Sequence, residues 1–281
     1  MKTKIIYLLL LLNALILIAY FQYHPNLKII ACDVGQGDAI LLVKGNFQVL
    51  IDGGPNRKVL DCLGKYISFW DRRIEVVILT HPDFDHYGGL SSVFETYQVD
   101  KFFTNGITSS TQSYKVLEST VGGQAIKTQH LMTGQYLTYD LIYLDILNPD
   151  VIHTGVQKQD GPNFGNDQSI VIHLKQGYFD ALLMADVENE VNDQILKKIK
   201  IQSLEYIKVN HHGSKNGLSE NLVETLRPKV AVISAGKENR YGHPDKSVLD
   251  ILLKYKSLIK RTDEQGDIVV EVFNDSSFKV W

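Results

Sequence analysis

The chain has 281 residues, 44% of them hydrophobic and 22% charged, with a formal net charge of −3. That composition excludes a disordered or collagen-like chain. The mild acidity argues against a strongly basic nucleic-acid-binding surface, although cations held at a site can supply positive charge locally.

Lys2 and Lys4 precede an apolar run, Ile5 to Phe21, interrupted only by Asn13. Its 17 residues are near the lower limit for a bilayer core of ~30 Å. No small-x-small cleavage site follows; the chain continues Tyr20-Phe21-Gln22-Tyr23-His24-Pro25. An uncleaved transmembrane anchor is therefore favoured over a secretory signal, whose removal would leave a secreted chain, and over a buried core helix. The lysines place the N-terminus in the cytoplasm and the remainder outside. Residues 1–23 are read as anchor or signal, and 26–281 as one domain. Cys32 and Cys62 can pair outside the cell, but their spacing does not establish a bond; Ile29-Ile30-Ala31-Cys32 matches a lipoprotein site only loosely.

Along the domain, short β-branched runs alternate with helical segments. Strands are expected at 28–34, 39–44, 48–52, 74–80, 141–147, 169–175, 179–185, 206–210, 230–234, 268–273 and 278–281. Helices are expected at 59–70, 89–97, 188–199, 218–226 and 247–255. The first three strands read as an antiparallel meander, and Gln176-Gly177 as a hairpin turn. Residues 106–135 read as a helix plus a short hairpin that can line a site, and 154–164 as a long polar loop. Strand-rich halves with outer helices indicate an α/β fold, a layered αββα sandwich rather than a Rossmann sheet.

The chemistry is concentrated in His81-Pro82-Asp83-Phe84-Asp85-His86, followed by Gly88-Gly89, where the strand Val76–Thr80 ends. Any one of these side chains alone would be read as solvated or capping. Four potential metal ligands within six residues let one loop serve two neighbouring ions, with the glycines allowing a tight turn into the next helix. Further candidates are Asp186 at a strand end, which a helix N-cap role would also explain, and His211 and His212. Neighbouring residues on a strand point oppositely, so one of this pair, His212, is expected to turn inward. His243 reads as a late ligand, a donor to substrate or a structural turn histidine. Asp33, Asp38 and Asp52 read as partners of ligating histidines or as turn residues. His24, His130, His153 and His173 read as surface or strand residues.

The 81–86 motif resembles the metallo-β-lactamase signature His-x-His-x-Asp-His, with Asp83 in place of the second histidine. That departure argues against β-lactam hydrolysis. The variant is similar to the extracellular hydrolase-like domain of the ComEC family, the DNA-uptake channel proteins of competent bacteria. Further pieces in matching order are Asp33-Val34-Gly35-Gln36-Gly37-Asp38-Ala39, Leu50-Ile51-Asp52-Gly53-Gly54, Asn166-Asp167-Gln168-Ser169, Met184-Ala185-Asp186, His211-His212-Gly213-Ser214, Tyr241-Gly242-His243-Pro244, and Arg261-Thr262-Asp263 with Gly266.

The resemblance implies a metallo-β-lactamase-type sandwich behind a membrane helix, and two divalent ions, Zn2+ or Mn2+. His81 and Asp83 would hold one, with His212 as a third candidate. Asp85 and His86 would hold the second, and Asp186 would bridge them. Asn166 or Asp167 stands where relatives carry another histidine. Asp83 or Asp85 would take up a proton, His243 would assist the leaving oxygen, and Ser214 and Asn239 would bond a phosphate. The imidazoles suit zinc, and the extra carboxylate shifts preference toward manganese. The implied reaction is phosphodiester hydrolysis, with DNA as the substrate and a separate DNA-uptake channel protein as a conceivable partner. Lys208, Lys215, Lys237 and Arg240 are candidates to meet a phosphate backbone. The rivals are a cell-surface phosphocholine esterase, which an aromatic cage would favour, and a non-catalytic DNA-binding module. The oligomeric state is not legible.

Overall fold

The computed structural model describes residues 2–23, 25–155, 164–201 and 203–281. His24 and most of the expected loop, 156–163, lie outside the described residues.

The helix α1 (Lys2–Tyr23) is followed by β1 (Leu27–Ala31), β2 (Ile40–Lys44) and β3 (Phe47–Ile51), the expected antiparallel meander. Next come α2 (Lys58–Tyr66), β4 (Arg73–Leu79), α3 (Phe84–Tyr87), α4 (Leu90–Thr96), β5 (Gln98–Thr104), α5 (Gln112–Gly123) and β6 (Thr128–His130). The second half runs through β7 (Tyr136–Tyr139), β8 (Ile142–Asn148), α6 (Phe164–Asp167), β9 (Val171–Gln176), β10 (Phe179–Leu183), α7 (Asn189–Lys198) and β11 (Tyr206–Lys208). A 3-10 turn (Asn210–Gly213), α8 (Glu220–Leu226), β12 (Val230–Ile233), α9 (Lys246–Lys254), β13 (Leu258–Arg261) and α10 (Thr262–Gln265) follow. Then β14 (Ile268–Val272) and β15 (Phe278–Val280) return to the first half.

Two sheets result, ordered β15-β14-β1-β2-β3-β4-β5-β6 and β13-β12-β11-β10-β9-β8-β7. Strands buried on both faces explain the near-continuous apolar runs. Leu27, Ile29, Leu42, Val49 and Ile78 face Leu144, Ile172, Leu174 and Leu183 between the sheets. The alternate residues Ile30, Leu41, Leu50 and Val77 pack outward on Leu63, Leu90, Val93 and Leu117 of α2, α4 and α5. On the other side Leu182, Ile207 and Ala231 pack on Val191, Ile195, Leu222 and Leu252. These are the four layers expected of an αββα sandwich.

Four strands were not expected: β5, β6, β7 and β13. Asp100 and Lys101 interrupt β5, and β7 and β13 are short, half-exposed edge strands with little apolar alternation. The hairpin expected within 106–135 does not form. Its helix is α5, but β6 pairs in parallel with β5. The expected turn at Gly177 does form, with φ +60° at the glycine and Gln176 opposite Phe179. Helix α2 ends at Tyr66, four residues before the expected limit.

Cys32 and Cys62 form a disulfide with Cα atoms 5.8 Å apart, tying the end of β1 to α2. The side chains of α1 from Lys4 to Leu17 are exposed. Among the described residues no helix is long and apolar enough to cross a membrane.

Candidate metal centre

The strand ends bring the polar motifs together at one rim of the sandwich. Asp52 follows β3 in the left-handed region, φ 61°. Its carboxylate accepts from Thr80 N–H (2.8 Å) and the Thr80 hydroxyl (2.8 Å), and its Oδ2 lies 2.8 Å from His86 Nδ1. An acceptor at Nδ1 directs the other ring nitrogen of His86 into the site. His81, at the end of β4, is fully buried; its Nδ1 lies 3.1 Å from the Thr80 hydroxyl and its ring centroid 4.2 Å from that of His86.

Backbone rather than side chains packs this wall. A Cβ on Gly37 would lie 2.2 Å from Asp85 O, and one on Gly89 2.2 Å from Gly53 O. Gly88 and Gly89 have ordinary right-handed helical dihedrals. The expected reason for them, a tight turn, is therefore replaced by close approach: a Cβ on Gly88 would lie 2.5 Å from Pro55 O.

The second sheet contributes Asp186, after β10, and the histidine pair. His211 and His212 stand beyond the end of β11, in a 3-10 turn with φ 46° and 53°. The strand rule for opposite side chains therefore does not apply, and both rings turn toward Asp186. Asp186 Oδ2 lies 3.3 Å from His86 Nε2, 3.4 Å from His212 Nε2 and 3.8 Å from His211 Nε2. The N-cap position of α7 belongs to Glu188, not Asp186. Glu188 Oε1 is 2.7 Å from His211 Nδ1, and its N–H donates to Asp167 Oδ1 at 3.1 Å.

Ligand atoms of Asp85, His86, Asp186 and His212 all lie within 4.8 Å of one another. His212 thus joins Asp85, His86 and Asp186 rather than His81 and Asp83. Asp85 Oδ2 is 3.3 Å from His212 Nε2, and Asp83 Oδ2 is 3.7 Å from His81 Nε2. His243 stands beside them, its ring 5.7 Å from that of His211 and stacked on Tyr241.

The charges are arranged to hold cations. Burial would lower the His86 and His212 pKa values, but the Asp186 carboxylate, with Asp52 for one and Asp38 for the other, holds both well above the ordinary value. Burial would raise Asp186, yet His212 and His86 hold it well below the carboxylate range. His81 is pushed down, first by burial and then by His86.

Residues around this group differ in how far they reach it. Asp38 Oδ1 lies 3.3 Å from His212 Nδ1, which also faces Ser234 O at 3.1 Å. Asp38 Oδ2 accepts from Lys208 Nζ at 2.7 Å, a pair wholly inside the protein. Lys208 is therefore not available to a phosphate backbone, contrary to expectation. Alternation along β11 carries the signal for this: Tyr206 faces the inter-sheet core, Ile207 the outer helices, and Lys208 inward again. Glu188, unremarked in the sequence, lies buried behind His211. Asp33 accepts from Gly35 N–H in a turn, and its own N–H is bonded to Asp267. Asn166 O accepts from Ser169 N–H, the Ser214 N–H donates to His211 O, and Asn239 braces the backbone of His243. His173 is on β9, 2.6 Å from Asp180, and His130 on β6 bonds Thr104; neither belongs to the group.

The decisive feature is what these atoms lack. His81 Nε2, His86 Nε2, His212 Nε2 and Asp186 Oδ1 are buried and have no hydrogen-bond partner. An unsatisfied buried polar atom costs about 1–3 kcal/mol, so three imidazole nitrogens and one carboxylate oxygen left in this way fit a site built to be filled by cations. A family model, the metallo-β-lactamase superfamily, matches residues 32–103.

The chain carries a metallo-β-lactamase domain. The metallo-β-lactamase fold protein YhfI of Bacillus subtilis superposes with a TM-score of 0.56 at 11% identity, over 87% of this chain and 99% of that one. Recombination protein 2 of Haemophilus influenzae is 32% identical over 256 residues, 89% of this chain and 29% of its own length. ComE operon protein 3 of Bacillus subtilis is 29% identical over 198 residues, 70% of this chain and 24% of its own. The chain therefore spans 24% to 29% of the length of these relatives.

Proposed function

We propose that this metallo-β-lactamase domain is a metal-dependent phosphodiesterase that cleaves DNA outside the membrane to which α1 anchors it. The observation that carries the catalytic part is the set of unpartnered imidazole nitrogens around Asp186. His81, Asp83, Asp85, His86, Asp186, His211 and His212 would hold two divalent ions, Zn2+ or Mn2+. Such ions would neutralise charge on a phosphoryl group and lower the pKa of a water.

The chain's own residues do the rest. Asp52, Glu188 and Asp38 fix the rings of His86, His211 and His212. Asp83, exposed at the rim, can take up a proton. His243 is held toward the neutral form by burial and by His212 and His211, so its imidazole can bond a leaving oxygen. Exposed Lys215, Lys237 and Arg240 flank the turns carrying His211, His212 and His243 and can meet a phosphate backbone. The likeness to competence-related proteins supports DNA as the substrate, and a separate DNA-uptake channel protein is proposed with it as a partner. The Cys32–Cys62 disulfide supports an oxidising, extracytoplasmic setting. For the anchor, the support is the sequence itself, the apolar run Ile5 to Phe21 behind Lys2 and Lys4.

The test is cleavage of a labelled single-stranded oligonucleotide by the full chain in detergent, with Mn2+ or Zn2+ added. Turnover that EDTA abolishes supports the reading. Turnover of p-nitrophenyl phosphocholine alone would transfer it to a wall-polymer phosphoesterase. A chain that binds no metal and cleaves neither would be a binding module.

A further inference from the structure

The end of the sandwich opposite the candidate metal centre carries exposed apolar side chains on its turns. Leu27, the first residue of β1, pairs with Lys44 at the end of β2 and with Val272 at the end of β14. Four chain turns come together at this level. The turn after α2 carries Phe69 and Trp70, and its Asp71 accepts from Gln48, the second residue of β3. The β7–β8 turn carries Leu141; it is tied to β2 by Lys44–Asp140 (2.7 Å) and to β3 by Phe47 stacked on Tyr139 at 3.7 Å. The β9–β10 turn carries Tyr178, whose N–H donates to Ser276 Oγ in the turn after β14. The tip side chains are 76% (Phe69), 78% (Trp70), 60% (Leu141) and 90% (Tyr178) exposed.

Polar residues normally occupy turn tips, so large apolar side chains on three tips at one end call for an explanation. Phe69 and Trp70 share one turn, and Leu141 and Tyr178 stand on two others, an arrangement unlike the single contiguous patch with a polar rim of a protein interface. Tryptophan and tyrosine at such positions suit the headgroup level of a bilayer. The chain also fixes what lies nearby. Helix α1 ends at Tyr23 and β1 begins at Leu27, so four Cα steps separate the apolar helix from this end, at most about 15 Å.

We infer that the Leu27 end of the domain seats on the bilayer interface through Phe69, Trp70, Leu141 and Tyr178, holding the metal centre turned away from the membrane. The inference rests on the anchor reading above and deepens it: the domain is docked in one orientation rather than tethered loosely.

The chain's two tryptophans make a built-in test. Trp70 is on a docking tip. Trp281 bonds Val269 through both backbone groups, level with Ile30, three residues up the sheet from Leu27 and so about 10 Å farther from the membrane. Trp281→Phe and Trp70→Phe isolate the two reporters. The full chain is reconstituted into phosphatidylcholine–phosphatidylglycerol vesicles whose lipids carry bromine on the upper acyl chain. Trp70 is expected to lose more than about half its emission, and Trp281 to be nearly unchanged. Flotation after a carbonate wash reads the anchor separately. A chain that floats while Trp70 is quenched no more than Trp281 overturns the docking alone and leaves that surface to a protein partner. A chain stripped by carbonate overturns the anchor, and the docking with it.

Discussion

The two walls of the metal centre are built on different principles. On the first-sheet wall every orienting atom is paired: one carboxylate, Asp52, receives Thr80 twice and His86 once. Backbones there approach so closely that only glycine fits. The second-sheet wall concentrates its effect in Asp186, which faces His211 and His212 from left-handed backbone and His86 across from α3, and keeps one oxygen unpartnered. The first wall can hold its shape without ions. The second gathers charge that only a cation balances.

The sharpest way to break this comparison is Asp186→Ala. If the proposed phosphodiesterase activity holds, removing the shared carboxylate should lower it by more than the roughly 100-fold that an outer partner of a metal ligand is worth, and should lower the metal content found by elemental analysis. Circular dichroism should still report the native fold, because the first wall is unaffected. A variant that keeps its metal would show that Asp186 only balances the histidines.

The next largest effect is on stability. Lys208→Met leaves Asp38 buried without its ammonium partner, although His212 Nδ1 stays 3.3 Å away, and breaking a buried pair costs about 3–5 kcal/mol. Denaturant unfolding should show this loss. The double variant Lys208→Met with Asp38→Leu should recover much of it. The linkage predicts a pH dependence as well. Burial raises the Asp38 pKa, but the Lys208 ammonium and His212 outweigh it, and the folded value lies below the unfolded one. The stability the pair contributes is present above the ordinary carboxylate pKa and is lost as pH falls below it. The single variant should therefore be least different from the parent in strong acid.

These two variants also mark what the sequence made legible. The 81–86 loop, Asp186 and the histidine pair were readable because ligand-type side chains cluster at the ends of apolar runs, and strand ends meet at one rim of a sandwich. The two-sheet architecture was readable from short β-branched runs grouped into strand-rich halves with helices between them. Three things were not. A lysine in a short strand reads as solvent-facing until the strand on either side is known to be covered, as Lys208 is. A rule for side chains on strands fails when the backbone leaves the strand, as at His211 and His212. Strands such as β7 and β13 gain their pairing from a neighbour rather than from their own pattern, so composition alone leaves them invisible.

A smaller effect sharpens the second wall. Glu188→Gln keeps the size of the side chain but removes the charge that orients His211. Outer partners of ligating histidines are worth about 10–100-fold in metal affinity, so competition with a chromogenic chelator should show a loss within that range. Burial would lower the His211 pKa, yet the Glu188 and Asp186 carboxylates raise it. Without Glu188 the ring should release its proton at lower pH, which NMR titration of the metal-free protein can follow. The two readouts separate the alternatives. A shifted ring pKa with unchanged metal affinity would mean that His211 lies outside the ion's coordination and serves the substrate side of the centre. A loss in both would make Glu188 the second-sheet counterpart of Asp52, and the two walls would then differ in backbone but not in how they aim an imidazole.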